Sequence, residues 1–323
     1  MRVFIAISIV VIAFVGSFAL RRWIDTPPGD APPQPTQLCE RILCLSPGLT
    51  ETVFALGLGA RVVGVTRYCL YPPEAQQRAS VGGFLDPNYE AIVALRPDVV
   101  FVTPYQRELA DDLRRLGVAV HAIAQDSLDD IRESYQNIAA LCGCHDEADT
   151  LTDALNAAVA HARNAQTGGP RPRVLMTTGR DVRSGALDEV YAVGRGTFLD
   201  ELLTLLGGEN IAPGNLLEYP SLSAEGILRL DPDIIVELVA DSEYDRELED
   251  KALAAWQALP NLRAAREGRI HILFGNYLTV PGPRVTLTLE ALAGCLKVEA
   301  ASLPLHNAAR MPRLRYSSLE STR

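Results

Sequence analysis

Two glutamates occupy matching places in a pattern that occurs twice in this sequence. Shifting the segment LDPNYEAIVALRPDVVFV, residues 85–102, by 135 positions aligns it with PSLSAEGILRLDPDIIVEL, residues 220–238. The shift places Glu90 on Glu225 and matches the apolar positions and the Pro-Asp pair that follow. Each copy predicts a short helix that runs into a buried strand. A repeat of this length is too long for a solenoid unit, so it predicts two similar lobes that each display one glutamate.

The position of these glutamates in their helices indicates what they do. The expected helix caps are Asp86 and Ser221, each four positions before its glutamate, which places both acids at the fourth helical position. A single first-turn acid can simply complement the helix dipole, and that is the alternative for each residue alone. Two acids at matched positions favour a shared external role, in which Glu90 and Glu225 bind two basic sites on a symmetric partner.

A second group of reactive side chains is the run Cys142-Gly-Cys144-His145, since thiolates and imidazoles are zinc ligands. The chain has six cysteines and no repeated CxxC pair. One or two disulfides are compatible with this number in an oxidising compartment, but the sequence does not give their pairing. We expect a turn after a helix here, with no metal site and no cofactor. The alternative is a membrane-anchored metal-handling protein or enzyme that uses Cys142, Cys144 and His145.

Aromatic side chains fall just after predicted strands or just before predicted helices in both halves of the chain. Open α/β sheets bind their ligands at such loops, so we expect a cleft lined with flat rings that suits a large planar or macrocyclic ligand. Arginines in the same regions could meet anionic groups of that ligand, although each fits equally well as a surface charge. The rings are those of Tyr68, Phe84, Tyr219 and Tyr277, and the arginines are Arg67, Arg180 and Arg284.

The elements that must position these side chains alternate between strand and helix in both halves. This alternation predicts an α/β fold of two Rossmann-like lobes with central parallel sheets. Residues 147–166 have a helical period without an internal breaker, so they predict one rigid backbone helix of about 30 Å that joins the lobes. The expected organisation is a signal peptide or N-terminal membrane anchor (1–20), a Pro-rich linker (21–40), an N-terminal lobe (41–145), an inter-lobe helix (146–170), a C-terminal lobe (171–300) and a tail (301–323).

Composition and the N-terminal segment limit the class of protein. A net charge of −10, with no basic stripe, argues against a nucleic acid as partner. The sequence contains no HExxH, GxSxG, Walker A or helix-opening GxGxxG motif, so we expect no enzymatic activity. Residues 3–20 form an apolar run after Arg2, which predicts export either with a cleaved signal peptide or with the run kept as an inner-membrane anchor.

Six short motifs are spread over most of the chain. They are RILCLSPGLTETVFALG (41–57), VTRYCLYPP (65–73) and GFLDPNYEAIVALRPD (83–98) in the first half, and GGENI (207–211), YPSLSAE (219–225) and PGPR (281–284) in the second. Together they resemble the substrate-binding proteins of ABC importers for vitamin B12 and iron–siderophores. The resemblance runs from about Arg41 to about Leu296, and its motifs are specific to this superfamily and less so to the ligand.

The resemblance implies a class III periplasmic binding protein, a monomer that captures a corrinoid between its lobes and delivers it to an ABC permease dimer. It implies that Glu90 and Glu225 dock on arginines of the permease. Phe84 stands where the B12-binding branch often has Trp, and Asn276 where it can have Asp, so a ferric siderophore or haem is the alternative ligand. The residues that the resemblance places against the corrin are Tyr68, Phe84, Tyr219, Asn276 and Tyr277.

Overall fold

The computed structural model describes residues 39–166, 169–187, 189–214, 217–240 and 244–296. The expected signal peptide or anchor, nearly all of the Pro-rich linker and the tail lie outside the described residues. Those that are described belong to one compact unit that begins at Cys39. No helix in this part of the chain is both long and apolar enough to cross a membrane.

The N-terminal lobe is built on a sheet of five parallel strands, as the sequence predicts. The strand order is β3-β2-β1-β4-β5. The interior strand β4, between β1 and β5, reads VVFV and is buried at every position, because helices cover both faces of a parallel sheet. The strands are β1 (Ile42–Cys44), β2 (Val62–Val65), β3 (Ala79–Ser80), β4 (Val99–Val102) and β5 (Val120–Ala122), and the helices are α1 (Pro47–Ala55), α2 (Tyr89–Ala94), α3 (Arg107–Arg115) and α4 (Leu128–Cys142).

One long helix, α5 (His145–Asn164), leads from the first lobe to the second. Its 20 residues match the predicted backbone helix and correspond to about 30 Å. The chain turns between α4 and α5 at Gly143, whose φ of 76° lies in the left-handed region that glycine adopts without strain. Cys142 forms a disulfide with Cys39, 103 positions earlier. The expected turn is therefore present, and the disulfide at Cys142 attaches the first residue of the folded unit to it.

The C-terminal lobe has a mixed sheet of six strands, which corrects the expectation that both sheets are parallel. β6, β8, β10 and β11 pair in parallel, but β7 runs antiparallel to β6 and to β9. In its described residues, the connection from β6 to β7 contains a short turn of 3₁₀-helix, whereas a parallel crossover usually needs a full helix. The strands are β6 (Arg173–Thr178), β7 (Val190–Ala192), β8 (Glu209–Asn210), β9 (Ser221–Leu222), β10 (Ile234–Val239) and β11 (Ile270–Phe274), and the helices are α6 (Phe198–Leu205), α7 (Ala224–Leu230), α8 (Arg246–Gln257), α9 (Arg263–Arg266) and α10 (Val285–Leu296).

The repeat holds in three dimensions, but its helix caps differ from those predicted. Asn88 caps α2 and Ser223 caps α7, each through its side-chain oxygen. The predicted caps, Asp86 and Ser221, are wrong by two residues. The true caps still obey the 135-residue offset, and they place each glutamate at the second helical position instead of the fourth.

The C-terminal ends of the two repeated helices are also built alike. Arg96 and Asp231, again 135 positions apart, both have positive φ, 46° and 43°. Arg41 at the start of the first lobe donates to the carbonyls of Leu95 and Arg96. Its counterpart at the start of the second lobe, Arg173, donates to the carbonyls of Leu230 and Asp231. Each lobe therefore ties the end of its repeated helix to the beginning of its own sheet.

The aspartate of each Pro-Asp pair completes this attachment. Asp98 accepts hydrogen bonds from the backbone nitrogens of Cys39, Glu40 and Arg41. Asp233 accepts one from the backbone nitrogen of Arg173. These carboxylates satisfy donors that lead into the first strand of each lobe.

The largest apolar core runs through both lobes. Leu49 of α1, Leu155 of α5 and Leu292 of α10 are members of the same buried cluster. The backbone helix is therefore packed against both lobes along an apolar face and is part of the core.

Candidate functional site

The two lobes meet at a buried ion pair that sequence analysis did not identify. Arg284, directly before α10, donates through Nε to Glu51 Oε2 at 2.8 Å and through Nη2 to Glu51 Oε1 at 2.5 Å. The two side chains are 8% and 3% exposed. Burial raises the pKa of the Glu51 carboxyl, and the hydrogen bonds from Arg284 oppose that shift. A bidentate pair of this kind fixes α1 of the N-terminal lobe against the C-terminal lobe.

Arg284 also contacts loops that follow strands in both lobes. Its Nη1 donates to Asn276 Oδ1 at 2.7 Å, in the loop after β11. Its guanidinium carbon lies 4.0 Å from the centre of the Tyr71 ring, in the loop after β2, and 5.8 Å from that of Tyr277. One buried cation therefore organises the carboxyl-end loops of two sheets, where α/β proteins of this kind bind ligands.

The backbones of the lobes touch beside this ion pair. A Cβ on Gly48 would lie 2.3 Å from the carbonyl oxygen of Pro281 and 2.5 Å from Gln125 Oε1. Only glycine fits at this point, because a side-chain carbon would force the lobes apart. The Gly-Pro-Arg sequence after β11 and the Ser-Pro-Gly sequence at the start of α1 are thus two halves of one junction.

A second inter-lobe contact joins Tyr105 to Glu218. Tyr105 follows β4, and its hydroxyl donates to Glu218 Oε1 at 2.6 Å. This hydrogen bond, burial and the nearby carboxylate of Asp126 raise the pKa of the Tyr105 phenol. Burial also raises the pKa of Asp126, which is close enough to accept a hydrogen bond from Tyr105. The side of the site next to Tyr219 therefore carries carboxylates.

The predicted aromatic residues differ in how accessible they are. Tyr68 is 54% exposed, Tyr219 is 38% exposed and Tyr277 is 8% exposed, while Phe84 is half-buried. Burial and the carboxylates of Glu218 and Asp126 raise the pKa of Tyr219 to about 12, so its phenol stays neutral at physiological pH. Tyr68 and Tyr219 are the rings most open to a ligand, whereas Tyr277 mainly packs within the protein.

The predicted arginines are already paired. Arg180 is buried inside the C-terminal lobe, where Nε and Nη2 donate to Glu237 at 2.7 and 2.8 Å. Trp256 Nε1 donates to the same carboxylate at 2.7 Å. Arg67 donates to Asp86 at 2.7 and 2.8 Å and lies 5.3 Å from the Tyr68 ring centre. Arg180 is thus paired inside the C-terminal lobe, and Arg67 is paired at the surface beside Tyr68.

The two repeated glutamates lie on the surface, each one residue after the first residue of its helix. Glu90 and Glu225 are both exposed. Glu225 forms an i,i+4 pair with Arg229 at 2.9 Å, whereas the position four residues after Glu90 is an alanine. Both carboxylates are accessible, and the pair at Glu225 is too exposed to hold it strongly.

Sequence analysis missed the residues that join the lobes, namely Glu51, Tyr71, Tyr105 and Glu218. Glu51 and Tyr71 stand inside stretches that carry the family resemblance, but nothing in their spacing shows that they meet Arg284 from the other half of the chain. The alternative site at Cys142, Cys144 and His145 has one thiol fewer, because Cys142 is bonded to Cys39.

Comparison with known proteins decides the family. A model described as periplasmic binding protein matches residues 42–276, which span both sheets and the backbone helix. The chain belongs to the periplasmic binding protein family. The resemblance inferred from its motifs is thereby confirmed. As a periplasmic binding protein, it is of an extracytoplasmic class that binds small ligands for ABC transporters and is not enzymatic.

Individual relatives differ in the ligand that they bind. A cobalamin-binding protein of Halobacterium salinarum is 30% identical over 262 residues, which are 79% of this chain and 68% of that protein. The periplasmic vitamin B12 binding protein BtuF of Vibrio cholerae superposes with a TM-score of 0.67 at 26% identity, over 80% of this chain and 97% of that one. The periplasmic heme-binding protein RhuT from Roseiflexus sp. RS-1 superposes with a TM-score of 0.65 at 28% identity, over 79% of this chain and 97% of that one.

Proposed function

We propose that this periplasmic binding protein captures a corrinoid between its lobes and delivers it to an ABC permease. The observation that supports a corrinoid over an anionic ligand is the pairing of both arginines that lie beside the predicted rings. Arg67, next to Tyr68, and Arg284, next to Tyr277, are each bound to a carboxylate. The carboxylates of Asp126 and Glu218 lie beside Tyr219 and interact with it electrostatically. Such a site favours a neutral ligand whose amide groups donate hydrogen bonds, and it disfavours carboxylates, which would be repelled.

Similarity to the cobalamin-binding and vitamin B12-binding relatives supports the same ligand. Haem is the second candidate, because the heme-binding relative is equally similar in sequence and fold. Haem carries two propionates, so binding it would require a cation that is not already paired. A ferric siderophore is the remaining alternative, and its charge decides whether the same argument applies.

A titration separates these ligands. Cyanocobalamin, haemin and a ferric siderophore are added to the purified full chain, and binding is followed by calorimetry and by quenching of tyrosine and tryptophan fluorescence. We expect cyanocobalamin to bind at micromolar concentration or below, and haemin to bind more weakly. No cyanocobalamin signal at about 100 μM would exclude a vitamin B12 receptor of useful affinity.

Delivery to the permease is proposed to use Glu90 and Glu225. Their exposure and their equal place in α2 and α7 support this role. Changing both to alanine should abolish stimulation of a reconstituted permease while ligand affinity stays unchanged. Glu108 and Glu247 provide a matched control, because they are exposed and stand at the second position of α3 and α8.

The control pair should leave both measurements unchanged. If Glu90→Ala with Glu225→Ala weakens ligand binding instead, these residues belong to the ligand site and the docking role is wrong. If both pairs reduce stimulation equally, the effect is one of surface charge and not of two defined contacts.

A further inference from the structure

The buried arginine at the junction of the lobes has a feature that ion pairing alone does not explain. Glu51 uses only two of the guanidinium donors of Arg284, and a third reaches Asn276. A guanidinium has donors and no acceptor, so the atom of Asn276 that faces it must be the amide oxygen. The orientation of the Asn276 amide is therefore set by Arg284.

This orientation determines what Asn276 can offer to a ligand. With Oδ1 turned toward Arg284, the N–H donors of Nδ2 point away from it. Among the described residues, none accepts a hydrogen bond from Nδ2. Asn276 is half-buried in the loop after β11. A donor in such a position is suited to an acceptor on a bound molecule, such as a carboxamide oxygen.

Arg284 itself has little freedom to move. Its forked donors are matched to the Glu51 carboxylate, and the Tyr71 ring lies against its face at 4.0 Å. Lysine cannot reproduce this set of contacts, because an ammonium group is a point charge without a planar fork. Arg284 thus fixes the position of the Asn276 amide relative to both lobes.

We propose that Arg284 is a positioning residue of the ligand site, which holds the Asn276 amide with its oxygen inward and its N–H donors available to an acceptor on the ligand. The proposal rests on the proposed function for the nature of the ligand, but the arrangement of the two side chains can be tested without any ligand.

The first test is a double-mutant cycle on the unfolding of the ligand-free full chain. Arg284→Lys and Asn276→Ala are measured singly and together by urea denaturation. We expect their effects to be clearly non-additive, because the two side chains share a hydrogen bond. Additive effects would overturn the proposal. This result decides the inference about Arg284 even if the chain binds neither cyanocobalamin nor haemin, which would refute only the proposed function.

The second test measures cyanocobalamin affinity in the same variants. Arg284→Lys should weaken binding about 10-fold, and less than about 2-fold once Asn276 is already alanine, because a positioning residue acts through the group that it positions. An undiminished loss in the Asn276→Ala background would overturn the proposal. Asn276→Ala alone removes the outward donors, so it should weaken binding about 10-fold. Unchanged or tighter binding by that variant would refute the donor assignment.

Arg180 supplies a matched control for a purely structural effect. It forms the same kind of buried bidentate pair, with Glu237, but its other contacts are with Ala186 and Trp256 and not with a predicted ligand residue. Arg180→Lys should therefore lower stability as Arg284→Lys does and leave cyanocobalamin affinity unchanged. An equal loss of affinity in both lysine variants would overturn the proposal, because destabilisation alone would then account for it.

Discussion

Removing the disulfide between Cys39 and Cys142 should lower the stability of this protein substantially. The bond closes a loop with a sequence separation of 103 residues. In the chain-entropy description, the entropy removed from the unfolded state is about 2.1 + 1.5R ln n cal/mol/K, which for this loop is about 16 cal/mol/K, or about 4.7 kcal/mol at 25 °C. The first residues of the fold remain attached through Asp98, which still accepts their backbone hydrogen bonds. The loss therefore arises in the unfolded chain.

The perturbation is Cys39→Ser with Cys142→Ser, measured by urea unfolding at 25 °C against the oxidised full chain. With a slope of about 3 kcal/mol/M, the midpoint should fall by about 1.5 M. Cys295→Ser is the control, since Cys295 is a buried thiol outside the bridge. Thiol titration of the unfolded, unreduced protein should find the four free cysteines, which are Cys44, Cys69, Cys144 and Cys295. A loss below about 1 kcal/mol at equal slope, or six reactive thiols, would refute the reasoning.

Three further results are expected. Tyr105→Phe should increase the spread of distances between spin labels on the two lobes, because it removes an inter-lobe hydrogen bond; Tyr244→Phe, whose hydroxyl bonds within one lobe, should not. Glu237→Gln should cost about 3–5 kcal/mol in urea unfolding, because it leaves a buried arginine charge without its partner; a cost below 1 kcal/mol would contradict this. The backbone N–H of Arg173 lowers the pKa of Asp233 in the folded protein. Its stabilisation is therefore present above the unfolded pKa and is lost as pH falls through the folded value, so Asp233→Asn should flatten the acid limb of the stability–pH curve.

The lobes and the backbone helix were predictable because they depend on local patterns. The apolar run of β4 and the uninterrupted period of α5 each specify their own structure, and the structure confirms them. The helix caps were mispredicted because several polar residues precede each repeated helix. Asp86 pairs with Arg67 instead of capping α2, and Asn88 takes that role.

The site was less predictable than the fold because its key contacts join distant parts of the chain. Glu51 and Arg284 are 233 positions apart, and no spacing rule connects them. The ion pair of Arg180 was hidden from the sequence in the same way. Its position after a strand fits a ligand site, but the carboxylate that binds it comes from the middle of β10, where a sequence pattern of buried apolar residues gives no sign of an ion pair.

The repeated helices α2 and α7 each connect a loop with a predicted ligand residue to the start of a sheet. Arg41 and Arg173 hold the C-terminal ends of these helices at the starts of the sheets, whereas Glu90 and Glu225 lie in their first turns, six residues after Phe84 and Tyr219. Because the C-terminal end of each helix is fixed, side-chain substitutions at Phe84 and Tyr219 would leave the spacing of the two glutamates unaltered. Under the roles proposed for these residues, such a protein can be adapted to a new ligand through side chains alone while it serves the same transporter.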